Sequence, residues 1–157
     1  MSQVILCDTR EKGNQSVINY FKRKHVGFIT KKLDAGDYML MGDPTTIIDR
    51  KDNLDEILHN LIGRKKTKNG YLKEHDRLVR EVERAHEMGC QNFIFLIAAT
   101  KIKTKDDIKN WRSEYSRVTG ETLLKIMQTF AKHHDCKFVF IPKRNMGKKI
   151  VDILLKN

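Results

Sequence analysis

Residues 36–55, GDYMLMGDPTTIIDRKDNLD, set how the rest of the chain is read. Residues 37–41 predict a strand. Met41-Gly42-Asp43-Pro44 is turn chemistry, because glycine reaches positive φ and proline fixes its own. Residues 45–49 are β-branched and apolar, which predicts a second strand folded back on the first. Asp52 or Asn53 can then cap a helix that places Leu54, Ile57, Leu58, Leu61 and Ile62 on one side. With a tight turn, Asp37 and Asp49 stand at matching ends of neighbouring strands. Lys51, two residues beyond Asp49, projects to the same face.

Upstream, residues 3–7 are a compact apolar run that ends at Asp8 and predicts a buried strand. The polar stretch DTREKGNQS follows, with Asn14 or Ser16 as the cap of a helix. Val17, Ile18, Tyr20 and Phe21 fall on one face of that helix, which should stop near Gly27. Residues 28–33 predict another strand, with Ile29 and Leu33 facing inward. Downstream, GRKKTKNG at 63–70 is expected to be a loop or a frayed helix end. Residues 71–88 predict a long helix with Leu72, Leu78, Val79 and Val82 as its apolar stripe and Gly89 as its C-cap.

Residues 92–99 are apolar throughout, as a central strand covered on both faces should be. Residues 100–119 are the least regular, dense in lysine and arginine around Trp111 and Tyr115. A helix over 120–134 buries Leu123, Leu124, Met127 and Phe130. A strand over 137–141 stops at Pro142, and a helix over 145–156 buries Ile150, Ile153 and Leu154. Early strands form a meander and later ones alternate with helices. The expected fold class is therefore α/β, a mixed central β-sheet flanked by helices. No repeat or linker divides the chain, so residues 1–157 read as one domain.

A chain of 157 residues with 39% hydrophobic and 32% charged content has the composition of an ordinary globular protein. Its net charge of +11 points to a polyanionic partner, most often nucleic acid. No apolar run has the length of a membrane span, and MSQVILCDTREKG is too polar for a signal peptide. Cys7, Cys90 and Cys136 lie in or beside apolar runs with no CxxC spacing. That pattern fits reduced, buried thiols in an intracellular protein and argues against structural zinc.

Two carboxylates and a lysine gathered on one hairpin can hold a divalent metal beside a phosphodiester. Asp37 and Asp49 would supply hard oxygen ligands for Mg²⁺ or Mn²⁺, with the Arg50 carbonyl as a further ligand. Lys51 could position or deprotonate the attacking water and offset charge in the transition state. The bare D-x-K triplet is common, and the wider pattern gives it weight. DTRE at 8–11, GDY at 36–38 and DRKDNLD at 49–55 occur in that order. Together they closely resemble the XPF-type nuclease domain, a branch of the PD-(D/E)XK superfamily. Its motifs are aspartate-x-arginine-glutamate, then GD, then glutamate-arginine-lysine with an aspartate following. Here Asp49 stands where the family has glutamate. The resemblance is strong over residues 4–62 and looser, though continuous, to the C-terminus.

The resemblance implies a restriction-endonuclease-like core and a Mg²⁺- or Mn²⁺-dependent endodeoxyribonuclease of DNA repair or recombination. Its substrate would be branched, flap or junction DNA. By position, Asp37 and Asp49 would be metal ligands and Lys51 the catalytic lysine, with Asp8 a further ligand or water-positioning carboxylate. Arg10, Glu11 and Arg50 would contact phosphate or orient the carboxylates, and Asp55 would either hold Lys51 or Arg50 or sit near a helix N-terminus, where the dipole favours a carboxylate. Family domains often pair, so a homodimer through the C-terminal helices is expected. No helix-hairpin-helix module is legible, which leaves structure selectivity to the domain or to a partner. Two rivals are a non-catalytic nucleic-acid-binding subunit on the same fold and a Holliday-junction-resolvase-like recombination nuclease. The intact carboxylate-lysine set favours the enzyme over the first.

Several basic clusters suit phosphate. Arg64, Lys65, Lys66 and Lys68 are the first choice, because the preceding helix starts beside the site. Trp111 and Tyr115 could stack on an unpaired base or pack a loop onto the body. His133-His134 lacks partners at metal spacing and reads as a helix end.

Overall fold

A computed structural model describes residues 3–155, apart from the side chain of Lys65. The quoted stretch forms β3 (Tyr38–Leu40) and β4 (Asp43–Lys51), joined at Met41-Gly42. Tyr38 pairs with Ile48 and Met39 with Ile47, and a bulge then brings Leu40 opposite Asp43. The second strand thus begins before its β-branched run, and Pro44 sits beside the irregularity, where a strand tolerates proline.

The other sheet strands are β1 (Val4–Cys7), β2 (Gly27–Thr30), β7 (Asn92–Ala98) and β8 (Lys137–Ile141). Between β4 and β7 lies a separate hairpin of β5 (Arg64–Thr67) and β6 (Gly70–Lys73). The helices are α1 (Gln15–Arg23), α2 (Leu54–Ile62), α3 (Glu74–Glu87), α4 (Lys105–Asn110), α5 (Gly120–His134) and α6 (Met146–Leu154). The six-stranded sheet has the order β2-β1-β3-β4-β7-β8. Its β1–β3 and β3–β4 pairings are antiparallel and the rest are parallel, so the sheet is mixed as expected.

Alternation along β7 explains the two layers of core. Phe93, Phe95 and Ile97 pack with Leu58 and Leu61 of α2, Val82 and Ala85 of α3, and Leu123 and Phe130 of α5. Ile94, Leu96 and Ala98 pack on the other face with Val17 and Phe21 of α1 and Met146 and Ile150 of α6. A strand buried on both faces has to be apolar along its buried length, and this one is from Phe93 to Ala98. The three cysteines are free and buried, and burial pushes the Cys7 and Cys136 thiols up to about 12. Among the described residues, no helix is long and apolar enough to cross a membrane.

Three local expectations are corrected. GRKKTKNG is neither loop nor helix end: its residues belong largely to the β5–β6 hairpin, whose turn is Lys68-Asn69. The helix expected from residue 71 starts at Glu74, because residues 71–73 pair with β5. Ile29 does not face inward but is 45% exposed. Its neighbour Phe28 takes the inward place against Phe21, at 5.6 Å between ring centroids, and the period of two turns Ile29 out. Residues 100–119 contain a helix, α4, with a capping box in which Thr104 accepts from the Asp107 N–H and Asp107 accepts in return. The closing helix runs Met146–Leu154, and Lys156 lies outside the described residues. Its buried Met146, Ile150 and Leu154 are spent on the chain's own core.

Candidate active site

The site forms where the C-terminal end of β4 meets the start of β3. The Asp37 N–H donates to the Ile48 carbonyl (2.8 Å), which extends the β3–β4 ladder one residue beyond Tyr38. Asp37 Oδ2 accepts from the Arg50 N–H at 2.8 Å, so the carboxylate is locked across the strand pair. Asp49 and Lys51 then share one face of β4 and Arg50 takes the other. The Lys51 Nζ lies 3.1 Å from Asp49 Oδ1 and 5.9 Å from the centre of the Phe95 ring. All three β4 residues are buried.

Gly36 is what allows this turn. Its φ is +69°, and a Cβ there would collide with Ile47 Cγ2 and stand 3.1 Å from the Ile48 carbonyl oxygen. Glu81 of α3 fixes the same residue from the opposite wall, with Oε1 accepting from the Gly36 N–H at 3.0 Å. Gly36→Ala is therefore expected to destabilise the fold by about 1–3 kcal/mol from backbone strain alone, with the displacement of Ile47 in addition. Urea denaturation measures it, and a midpoint equal to that of the wild type would refute the strain.

The electrostatics of the cluster are unbalanced towards carboxylate. Burial raises the Asp49 carboxyl to about 8, against the pull of the Lys51 ammonium, and facing Glu81 adds to the rise. Burial likewise lifts Asp37 well above the usual carboxylate range, with Asp49 and Glu11 reinforcing it and the Arg50 N–H opposing it. Burial works against the charge on Lys51, but Asp49, Glu81 and Glu56 outweigh it and hold the ammonium protonated. Hard, buried, undercompensated oxygens of this kind accommodate a divalent cation.

Arg50 is occupied on its own side of the sheet. Its Nε and Nη2 contact Glu11 at 2.7 and 3.1 Å, Nη1 contacts Asp52 at 2.6 Å, and Nη2 also donates to the Lys12 carbonyl at 2.7 Å. Arg50 and Glu11 therefore tie the segment after β1 to the end of β4, and neither has a free edge for phosphate. The Asp8 carboxylate is held in the same way. Oδ1 accepts from the Leu33 N–H (2.8 Å) and Arg10 Nη2 (3.3 Å), and Oδ2 accepts from Arg10 Nε (2.9 Å) and the Arg10 N–H (3.3 Å). Asp8 stands beside Asp37, whose carbonyl accepts from the Asp8 N–H at 2.8 Å, and lines the same cleft, with Arg10 and the Leu33 N–H holding its carboxylate in place. Asp55 lies in the first turn of α2, where the helix dipole favours a carboxylate, and accepts from the Ser113 hydroxyl, while Asp52 contacts Arg50.

A cleft of about 680 Å³ opens over this cluster, lined by Asp37, Asp49, Lys51 and, from α3, Arg77, Arg80, Glu81 and Arg84. The α3 residues were not anticipated. Their spacing puts all four on one helix face, adjoining the stripe of buried Leu78, Val82 and Ala85. A charged face beside an apolar stripe was legible, but which part of the chain it would cover was not. Arg64, Lys66 and Lys68 are exposed and do not line the cleft; they lie along the hairpin leading away from its Leu72 rim. The side chain of Lys65 lies outside the described residues. Trp111 packs against the core, whereas Tyr115 is 83% exposed.

Compared with known families, residues 7–152 match the ERCC4 domain. The chain belongs to the ERCC4-domain family. This is the XPF-type nuclease domain, and the mixed sheet flanked by helices is of the restriction-endonuclease-like kind. ERCC4 domains are nuclease domains acting on structured DNA, and some members of the family are inactive. No curated protein matches the chain.

Proposed function

We propose that this ERCC4-domain chain is a metal-dependent endodeoxyribonuclease that hydrolyses phosphodiesters in branched, flap or junction DNA. The observation that carries the reading is the juxtaposition of Asp37, Asp49 and a charged Lys51 in one cleft walled by Arg77, Arg80 and Arg84. A family member that only bound DNA would have no need of a buried lysine and two buried carboxylates at such a cost in desolvation.

Asp37 and Asp49 would hold Mg²⁺ or Mn²⁺. Among the described residues no three His, Cys, Asp or Glu side chains gather closely enough to hold a metal. Two carboxylates nevertheless suit Mg²⁺, which keeps several waters and completes its shell with substrate phosphate. When bound, such an ion supplies Lewis acidity at the phosphoryl oxygen and lowers the pKa of a coordinated water. The chain's own residues do the rest. Lys51 faces the scissile phosphate and offsets the negative charge that develops as water attacks in line and the opposite P–O bond breaks. The arginines of α3, with the exposed guanidinium of Arg10, hold the flanking phosphates. Arg50, Glu11 and Asp8 fix the two loops between which the carboxylates stand.

The test incubates the chain and its Asp49→Asn variant with flap, fork, four-way and blunt duplex DNA, with Mn²⁺ or Mg²⁺ and with chelator. The expected result is ion-dependent cutting of junction-containing DNA, abolished by chelator and lowered in the variant by ~10²-fold or more. If the wild type cuts nothing in the panel, the enzyme reading falls. Equal cutting by the variant overturns the site.

A further inference from the structure

The β5–β6 hairpin takes no part in this chemistry, yet it begins and ends at the cleft. The Gly63 carbonyl accepts from the Glu74 N–H at 3.0 Å and closes its base, and Leu72 and Glu74 line the cleft. Its register sets Arg64 opposite Lys73 and Lys66 opposite Tyr71. Directly opposed residues share a face, so these four side chains lie together, on the opposite side of the hairpin from Leu72. All four are exposed, and Tyr71 is 71% exposed. The hairpin sequence RKKTKNGYLK contains no acidic residue. The following Glu74 is 7% exposed and is held by Arg77 at 2.9 Å, so it does not neutralise this face.

An aromatic ring standing clear of the surface, with cations beside it on a hydrogen-bonded ladder, is suited to an unpaired nucleotide. The ring stacks on the face of a base, and the cations follow the backbone. Bases stacked inside a duplex have no free face to offer. Tyr115, the other highly exposed tyrosine, lacks this setting. It lies outside any strand, and nearby Arg112 directs its guanidinium to the Lys109 and Trp111 carbonyl oxygens.

We infer that the outward face of the hairpin holds an unpaired DNA strand as it leaves the cleft. One base stacks on Tyr71, and Arg64, Lys66 and Lys73 contact the phosphates. The inference rests on the nuclease reading for what lies in the cleft, and it deepens that reading by naming the single-stranded arm of the substrate as what the hairpin recognises.

The test is fluorescence anisotropy with chelator present, so that no cutting occurs, using a labelled oligothymidylate and a blunt duplex of equal length. Tyr71→Ala should weaken oligothymidylate binding by roughly 5- to 150-fold, the equivalent of ~1–3 kcal/mol per stacked base. Tyr71→Phe should bind as the wild type does, and duplex binding should be unchanged in both variants, which also reports that they are folded. Lys66→Ala should reduce the salt slope for oligothymidylate by about one. Wild-type oligothymidylate binding by Tyr71→Ala overturns the inference, as does an equal loss in Tyr71→Phe or a parallel loss on duplex. The two readings fail separately. A chain that cuts nothing but binds single strands through Tyr71 loses only the nuclease reading. A chain that cuts, and whose Tyr71→Ala variant binds normally, loses only this one.

Discussion

Lys51→Ala is expected to lower DNA cleavage by about 10²–10⁴-fold while leaving affinity for the same DNA nearly unchanged. An interaction made mainly in the transition state lowers kcat and kcat/KM together when it is removed. Lys51 has the placement for such a role. It is 8% exposed, its ammonium is 3.1 Å from Asp49, and the carboxylates around it keep it charged despite burial. Loss of the ammonium should not unfold the chain, because the Asp49 carboxyl can take up a proton in place of its partner. Lys51 lowers the pKa of Asp49, so the variant raises it further from its present value of about 8. The folded variant then holds a proton that the unfolded chain releases above 3.8, and its stability falls as pH rises through that interval. Lys51→Arg divides the two roles open to the lysine. Arginine keeps the charge but gives up no proton near neutrality. Partial recovery of rate in the arginine variant would assign Lys51 to charge stabilisation, whereas no recovery is expected if it moves a proton or requires the slimmer ammonium. Full activity in Lys51→Ala, with Asp49→Asn inactive, would remove the lysine from the mechanism and leave the carboxylates in it.

How much of this was legible depended on the range of the interaction. The β7 run NFIFLIA and the periodic face of α5 announced themselves, because each repeats its pattern over enough residues to outweigh local accidents. Asp37, Asp49 and Lys51 were legible for a related reason. A single antiparallel pairing places them together, and one turn sets that register. Glu81 and the arginines of α3 become part of the site only once the helix docks across the sheet, and no spacing within α3 names its tertiary neighbour. The hairpin was missed differently. Asn69-Gly70 is a hairpin signal, but the flanks Arg64–Thr67 carry no apolar alternation, so charge obscured the strand. Asp55 and Asp52 show the limit of counting along a motif. Both follow the triplet closely, yet Asn53 caps α2 between them, which leaves Asp52 beside Arg50 and Asp55 within the helix beside Ser113.

Arg50→Met is expected to destabilise the fold by about 3–5 kcal/mol, the usual consequence of removing one partner from a buried ion pair. The pair is tight and dry. Arg50 and Glu11 side chains are 5% and 7% exposed, and two guanidinium nitrogens reach the carboxylate at 2.7 and 3.1 Å. Removing the arginine leaves Glu11 buried beside Asp37, whose own carboxyl it already raises, so the variant adds negative charge where the cluster can least bear it. Asp52 matters less, since its side chain is 52% exposed and water replaces the lost contact. The double variant Arg50→Met/Glu11→Leu removes both charges and should recover much of the loss, because the cost lies in the orphaned carboxylate more than in the missing attraction. Urea unfolding of the two single variants and the double variant closes the cycle. A double variant no more stable than Arg50→Met would mean that the arginine acts through its contact with the Lys12 carbonyl, holding the loop after β1 by backbone geometry and not by charge. In that case Arg50→Lys, which keeps the charge but loses the planar fork, should be nearly as unstable as Arg50→Met.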